Sequence, residues 1–261
     1  EVACEAEARG FHSLYVAEHT HIPVSRRTPP PTGDAVLAEE YKRTLDPWVA
    51  LGAAAAVTSR IRLGTGIALV AQHDAIALAK QVATLDWLSG GRAVLGVGYG
   101  WNVEEMEDHG IDAKRRRAHV REVMLAMEAL WAHEVAAFVG EHVHFEASWQ
   151  WPKPLQQPRP PVLIGGAAGP KLFEHIAEFG DGWIPIGGAG LREALPALRA
   201  AFEARDRDPA SLQLVPMGVL PSREKLDYFA AAGVTEAVLR LPSAPRDEVL
   251  PELDAFARFV A

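Results

Sequence analysis

The sequence predicts an α/β protein folded as a (β/α)8 barrel, and three observations carry that expectation. Strand-like and helix-like segments alternate almost from end to end, the pattern of a parallel sheet with helices outside it. Runs such as Pro161-Val162-Leu163-Ile164 and Ile61 to Val70 are apolar and rich in β-branched residues, as buried parallel strands are. With 261 residues, 49% of them hydrophobic, the chain can bury a large core. A doubly wound open sheet shares the alternation, and periodicity alone does not close a sheet.

The elements follow in order. Residues 1–9 read as a helix and Phe11 to Glu18 as a strand. Asp46-Pro47 starts a helix through Val57, an N-cap aspartate followed by a first-turn proline. Ile61 to Val70 is a strand, Ala75 to Leu88 a helix and Arg92 to Gly98 a strand. Helical pattern then runs from Asn102 to His109 and from Arg115 to Trp131. Pro161–Gly165 and Trp183–Ile186 are short strands separated by a helix over 170–179. Leu191 to Arg205 is helical, Leu212 to Val219 a strand, and Arg223 to Ala232 a helix. Val234 to Leu241 is the last strand and Asp247 to Val260 the closing helix. Because a helix comes first, the count fits a barrel whose first strand lies ahead of residue 1. Residues 1–261 read as one domain, with an excursion at about 133–160 in which Phe138 to Phe145 resembles a hairpin around Gly140. Asp86 with Arg92, and Arg116 with Glu122, are plausible structural pairs.

Composition narrows the function. A net charge of −8 argues against duplex nucleic acid as a partner. A single cysteine, Cys4, fits a reducing cytosol. The apolar stretch from Ala50 to Val57 is too short to span a bilayer, and no signal peptide is visible, so a cytoplasmic protein is expected.

Barrel enzymes place their chemistry where strands end. Those positions here hold Glu18-His19, Thr65-Gly66-Ile67, Tyr99-Gly100-Trp101, Gly165-Gly166 and Gly187-Gly188. A mouth lined by glycines suits a large planar ligand that approaches the backbone closely. Gly165-Gly166-Ala167-Ala168-Gly169-Pro170-Lys171 stands between a strand and a helix, where bare N–H groups and the helix dipole favour an anion. The run reads as a phosphate cradle with Lys171 beside it; the same glycines would also make a plain tight turn. His19-Thr20-His21 has the spacing of a metal pair, but the later strand ends carry Gly165, Pro185, Val219 and Leu241 instead of further ligands, so no metal is expected. Gly96-Val97-Gly98-Tyr99-Gly100 is a weak dinucleotide signal with the wrong spacing.

Taken together, the segments Gly10 to His19, Thr58 to Gly66, Ala79 to Asp86, Leu88 to Arg92, Leu95 to Gly98, Gly100-Trp101 with Glu104-Glu105, Gly165-Gly166 and Gly180 to Trp183 resemble the bacterial luciferase-like monooxygenase superfamily. The likeness is strongest to its branch that uses the deazaflavin coenzyme F420. The resemblance implies a TIM barrel with the flavin or deazaflavin ring at the C-terminal mouth. It matches the family's strand-end histidine to His19. The irregular segment that props the ring, often with a non-proline cis peptide, falls at Thr65-Gly66-Ile67, and the phosphate-binding backbone at Gly165-Gly166-Ala167. In the sugar-phosphate dehydrogenase branch a catalytic glutamate follows the Gly-x-Gly segment; Trp101 stands there in this chain, so that acid and that substrate do not transfer. Glu104 or Glu105 could serve instead, although a carboxylate at a helix start is also favoured by the dipole alone. His19 and Glu104 are thus the candidate catalytic residues, with Gly100, Trp101 and Tyr99 expected near cofactor and substrate. The family's usual His-Pro is His73-Asp74 here. The implied activity is hydride exchange between F420 and a small organic substrate, in a homodimer. FMN with oxygen, as a monooxygenase, and a non-catalytic flavin-binding barrel are the alternatives.

Overall fold

The structure is a computed structural model that describes residues 1–30 and 36–260. In chain order its helices and strands are α1 (Val2–Ala8), β1 (Ser13–Val16), α2 (Pro47–Val57), β2 (Arg62–Thr65), α3 (Ala75–Ser89), β3 (Ala93–Val97), α4 (Val103–Asp108), α5 (Arg116–Ala132), β4 (Val135–Val139), β5 (His144–Trp149), β6 (Val162–Gly165), α6 (Pro170–Phe179), β7 (Gly182–Ile184), α7 (Leu191–Glu203), β8 (Gln213–Leu214), β9 (Met217–Val219), α8 (Arg223–Ala232), β10 (Val238–Leu239) and α9 (Arg246–Ala257). Short polar side chains set several helix starts. Asp46 accepts the Val49 N–H at 2.8 Å ahead of α2, and Asp74 accepts that of Ala77 at 2.9 Å ahead of α3. Among the described residues, no helix is long and apolar enough to cross a membrane.

Six parallel strands pair in the order β1-β2-β3-β6-β7-β8. Spatial order follows chain order without reversing, which a doubly wound sheet would require, so the sheet curls one way into a barrel wall. Leu63, Leu95, Val97, Val162, Ile164, Trp183 and Leu214 face the helices and pack with them. The alternating positions Val94, Leu163, Ile184 and Val215 face inward and meet Tyr15, Ile67, Met217 and Val238. Both faces are therefore apolar, as the continuous hydrophobic runs require.

The inner wall is crowded. At Gly96 a Cβ would lie 2.0 Å from the Thr65 carbonyl oxygen, and at Gly98 it would lie 2.1 Å from Ile67 Cδ1. Glycine is needed there so that the chain beyond β2 can press against β3.

The expected strand over 212–219 is split into β8 and β9 around Val215-Pro216, and that over 234–241 shrinks to β10, which pairs with β9. β10 lies beside β1, but among the described residues no main-chain ladder joins them. A groove of about 450 Å³ runs between them, lined by Leu14, Tyr15, Ala17, Val238, Leu239 and Leu253 among others. Side chains bridge it instead: Glu236 bonds Ser13 and lies 3.3 Å from His12, while Arg9 on α1 meets Asp254 on α9 at 2.7 Å.

The excursion is an antiparallel hairpin of β4 and β5. Neither expected structural pair forms. Asp86 accepts from Gln156, while Arg92 bonds Thr58 and the carbonyls of Ala55, Thr58, Ile61 and Ser89. Glu122 caps the N–H groups of Glu141, His142 and Val143, and Arg116 donates to the Ala113 carbonyl.

Two alanine substitutions test this packing by urea unfolding. Gly96→Ala, which drives a methyl group into backbone, is expected to lower the unfolding free energy by about 3 kcal/mol. Gly52→Ala, in α2 with nothing within 4 Å of the new methyl group, is expected to raise it by about 0.5–1 kcal/mol.

Candidate active site

The end of β1 carries two successive polar residues that face different neighbours. Glu18 is buried and accepts the Leu69 N–H at 2.6 Å and the His73 Nε2–H at 2.8 Å. It thereby holds the segment that follows β2. That segment contains a cis peptide between Gly66 and Ile67, the position the resemblance implied. Its backbone extends along β3 through Ala68 N–H to the Gly96 carbonyl and Gly98 N–H to the Ala68 carbonyl. The Ile67 side chain lies between Gly98 and Gly165, where a Cβ at Gly165 would come within 3.2 Å of it. Thr65 is fully buried and its hydroxyl bonds both the carbonyl and the N–H of Gly96, so Thr65 fixes the strand end through β3.

His19 faces the start of α4. Its Nδ1 lies 2.7 Å from Glu105 Oε2, and the Trp101 indole N–H points to its Nε2 at 3.4 Å. Glu105 is 1% exposed, and its other oxygen accepts the Thr20 N–H at 3.3 Å. The rings of Tyr41 and Trp101 stand edge-on to His19, with centroids 5.5 and 5.8 Å away, and lie 5.8 Å from each other. Gly100, at φ 79°, turns the chain from β3 into this position with Met106 packed against it.

Glu104, the expected acid, is engaged through Oε1, while its Oε2 is buried without a partner. Arg27 takes its carboxylate through both backbone N–H, at 2.8 Å, and guanidinium, at 3.0 Å. Desolvation works against the charge there, but the bonds from Thr28 and Arg27 outweigh it and hold the pKa down at about 2. A carboxyl group that stays ionised at neutral pH is a poor proton donor, and its role is to pin the chain after β1 onto α4. Glu107, which also meets Arg27, and Asp108, which meets His21 at 3.0 Å, extend the same latch. Glu105 is the carboxylate that reaches His19.

Tyr99 is also displaced from its expected place. It is buried, its hydroxyl bonds His175 Nδ1 at 2.8 Å, and burial raises its pKa to about 12. It packs outward against α6 rather than on the substrate side.

At the end of β6, Gly166 adopts φ 152° and its carbonyl accepts the Trp183 indole N–H at 2.9 Å. Ala167 and Ala168 are exposed, and no side chain caps the start of α6. Gly165 is buried in β6, Gly166 is half-buried and Ala167 is exposed, so the chain comes to the surface between the strand and the helix start, where N–H groups favour an anion. Lys171 pairs with Glu174 at 2.9 Å instead of facing the glycines.

Several buried polar atoms around the mouth lack partners: both amide atoms of Asn102, which is 1% exposed, both of Gln72, and the Trp48 indole nitrogen. Buried polar groups are normally satisfied, so these orphans mark a place where a polar ligand or water completes the bonding. Together with the N–H groups ahead of α6 and the Ile67 backbone, they fit a flavin-type cofactor.

The His-x-His does not form a metal pair: His19 turns to Glu105 and His21 to Asp108. Among the described residues, Glu122, Glu141 and His142 come close enough together to hold an ion. They belong to the hairpin, where Glu122 is already engaged by three N–H groups and Glu141 by Arg115.

The latch makes a pH prediction. A carboxylate with a depressed pKa contributes stability that is complete above its unfolded value, near 4.3, and is lost as pH falls through the folded value. Carboxyl ¹³C NMR should show Glu104 ionised at pH 4 and titrating near pH 2. In Arg27→Ala that titration should move up toward the ordinary glutamate range.

Comparison with known proteins shows the family and the fold. The family model described as luciferase-like monooxygenase matches residues 1–232. An uncharacterized protein of Mycobacterium tuberculosis is 48% identical over 98% of this chain and 91% of its own length. An F420-dependent glucose-6-phosphate dehydrogenase of Kineococcus radiotolerans is 30% identical over 79% of this chain and 58% of its own length. In fold, a solved F420-dependent secondary alcohol dehydrogenase, bound to an F420–acetone adduct, superposes with a TM-score of 0.78 at 18% identity, over 98% of this chain and 91% of that one. The chain belongs to the luciferase-like monooxygenase family.

Proposed function

We propose that this protein is an oxidoreductase that binds coenzyme F420 and exchanges a hydride between it and a small organic substrate. The observation that carries the reading is His19: its side chain, 7% exposed just beyond β1, is held by Glu105 at Nδ1 and faced by the Trp101 indole N–H at Nε2. The F420-dependent relative at 30% identity supports the choice of cofactor. Trp101, where the sugar-phosphate branch has its glutamate, directs the substrate away from sugar phosphates.

When bound, F420 supplies the hydride chemistry, and the protein supplies orientation and electrostatics. The backbone of Gly165-Gly166-Ala167 would hold its phosphate, and Gly66-Ile67 would lie against its ring. Gly100 brings the chain close enough for Trp101 to pack at the mouth. Trp101 and Tyr41 cover His19 and exclude water. Nε2 of His19 takes up or returns the proton that accompanies hydride transfer.

Equilibrium titration with oxidised F420 and with FMN tests this. F420 is expected to bind more tightly, and Gly166→Val, which forces a branched residue into φ 152°, is expected to weaken it by about tenfold, or ~1.4 kcal/mol. Tighter binding of FMN would place the protein with FMN-dependent monooxygenases instead. Binding of neither would overturn both cofactor readings.

We also propose a homodimer built on the outer face of α3. Ile76 and Trp87 are exposed there, as are Trp151 and Leu155 on the chain after β5, which hydrogen bonds tie to the helix: Lys80 donates to the Trp151 carbonyl, Trp87 to the Lys153 carbonyl, and Gln150 to the Ile76 carbonyl. Trp87→Asp should convert a dimer to a monomer in sedimentation velocity; a monomeric native protein would refute the interface.

A further inference from the structure

Resting on the F420 reading, we propose that Glu105 is the positioning residue for His19. It fixes the imidazole as the Nδ1–H tautomer, leaving on Nε2 the lone pair that takes the substrate proton, and it balances the charge once that proton arrives.

Glu105 is 1% exposed and the His19 side chain 7% exposed, so water screens neither. A carboxylate that deep is tolerated only when its oxygens are engaged. Here Oε2 meets His19 Nδ1 at 2.7 Å and Oε1 meets the Thr20 N–H at 3.3 Å. An ionised carboxylate accepts and never donates, so Nδ1 carries the hydrogen. The other side of the ring gives the same answer independently. Trp101 Nε1 is only a donor, and it points at Nε2 from 3.4 Å, so Nε2 must be the acceptor. That contact is long, and a substrate hydroxyl can displace it. Glu104, the neighbouring carboxylate, is occupied by Arg27 and contributes nothing to this arrangement.

For an alcohol–carbonyl pair the step balances as follows. The substrate O–H bond breaks and its proton bonds Nε2. The carbinol C–H bond breaks, and its electron pair leaves with the hydrogen as hydride to oxidised deazaflavin. The carbon is oxidised to a carbonyl and the deazaflavin is reduced. The resulting imidazolium is already paired with Glu105, so no uncompensated charge appears in the buried site. The reverse direction returns both hydrogens.

The test is ¹⁵N NMR of histidine-labelled protein, which distinguishes protonated from lone-pair ring nitrogens. His19 is expected to show Nδ1 protonated and Nε2 bearing the lone pair. Glu105→Ala should give a mixed tautomer spectrum. Glu105→Gln, whose amide offers a donor as well as an acceptor, should do so too, and it serves if the alanine variant does not fold. Glu104→Gln should leave the spectrum as in the native protein. A native His19 protonated on Nε2, or Glu105 variants that fold and keep the native spectrum, would overturn the assignment. F420 titration of the same samples separates the two claims: native protein that does not bind F420 defeats the hydride reading, while the tautomer spectra still decide the role of Glu105.

Discussion

The mouth of this barrel depends on one buried carboxylate. Glu18 stands at the end of β1 and reaches across to the chain that follows β2, bonding Leu69 and His73. Charged acceptors make stronger bonds than neutral ones, and removing such a partner leaves buried donors unsatisfied. That hold fixes the path of residues 66–73, which in turn fixes where Ile67 enters the space between Gly98 and Gly165. Thr65 fastens the same segment to β3 through Gly96. The three strand ends are thus set relative to one another before any ligand arrives.

Neighbouring residues in this site divide their labour by direction. Glu18 faces the chain after β2 and His19 faces α4, as alternation along an extended chain requires. Glu104 and Glu105 likewise differ by one step of the helix, about 100°. One becomes a surface latch held by Arg27 and the other a buried partner of a histidine. Two adjacent glutamates therefore have unrelated electrostatic environments, and their chemistry follows the environment rather than the residue type.

That division explains what was legible in the sequence. The βα alternation, the cap at Asp46 and the glycine-lined strand ends are local patterns; they placed the barrel wall, and they singled out His19 and Gly165-Gly166-Ala167 as candidates. Choosing Glu105 over Glu104 required knowing how α4 is rotated about its axis, and that is set by Met106 and Gly100 packing in three dimensions. The outward turn of Tyr99 depends on His175, 76 residues away, and Lys171 was captured by Glu174 one turn along its own helix. Long-range partners and side-chain competition leave no periodic trace.

The crowding along β3 has a consequence for variation. What stands against a methyl group at Gly96 is the Thr65 carbonyl oxygen, which is backbone, so no side-chain rotation makes room for it. β2 and β3 would have to part there, and the bonds between the Thr65 hydroxyl and Gly96 would be lost with them. These two strands therefore tolerate substitution only as a pair.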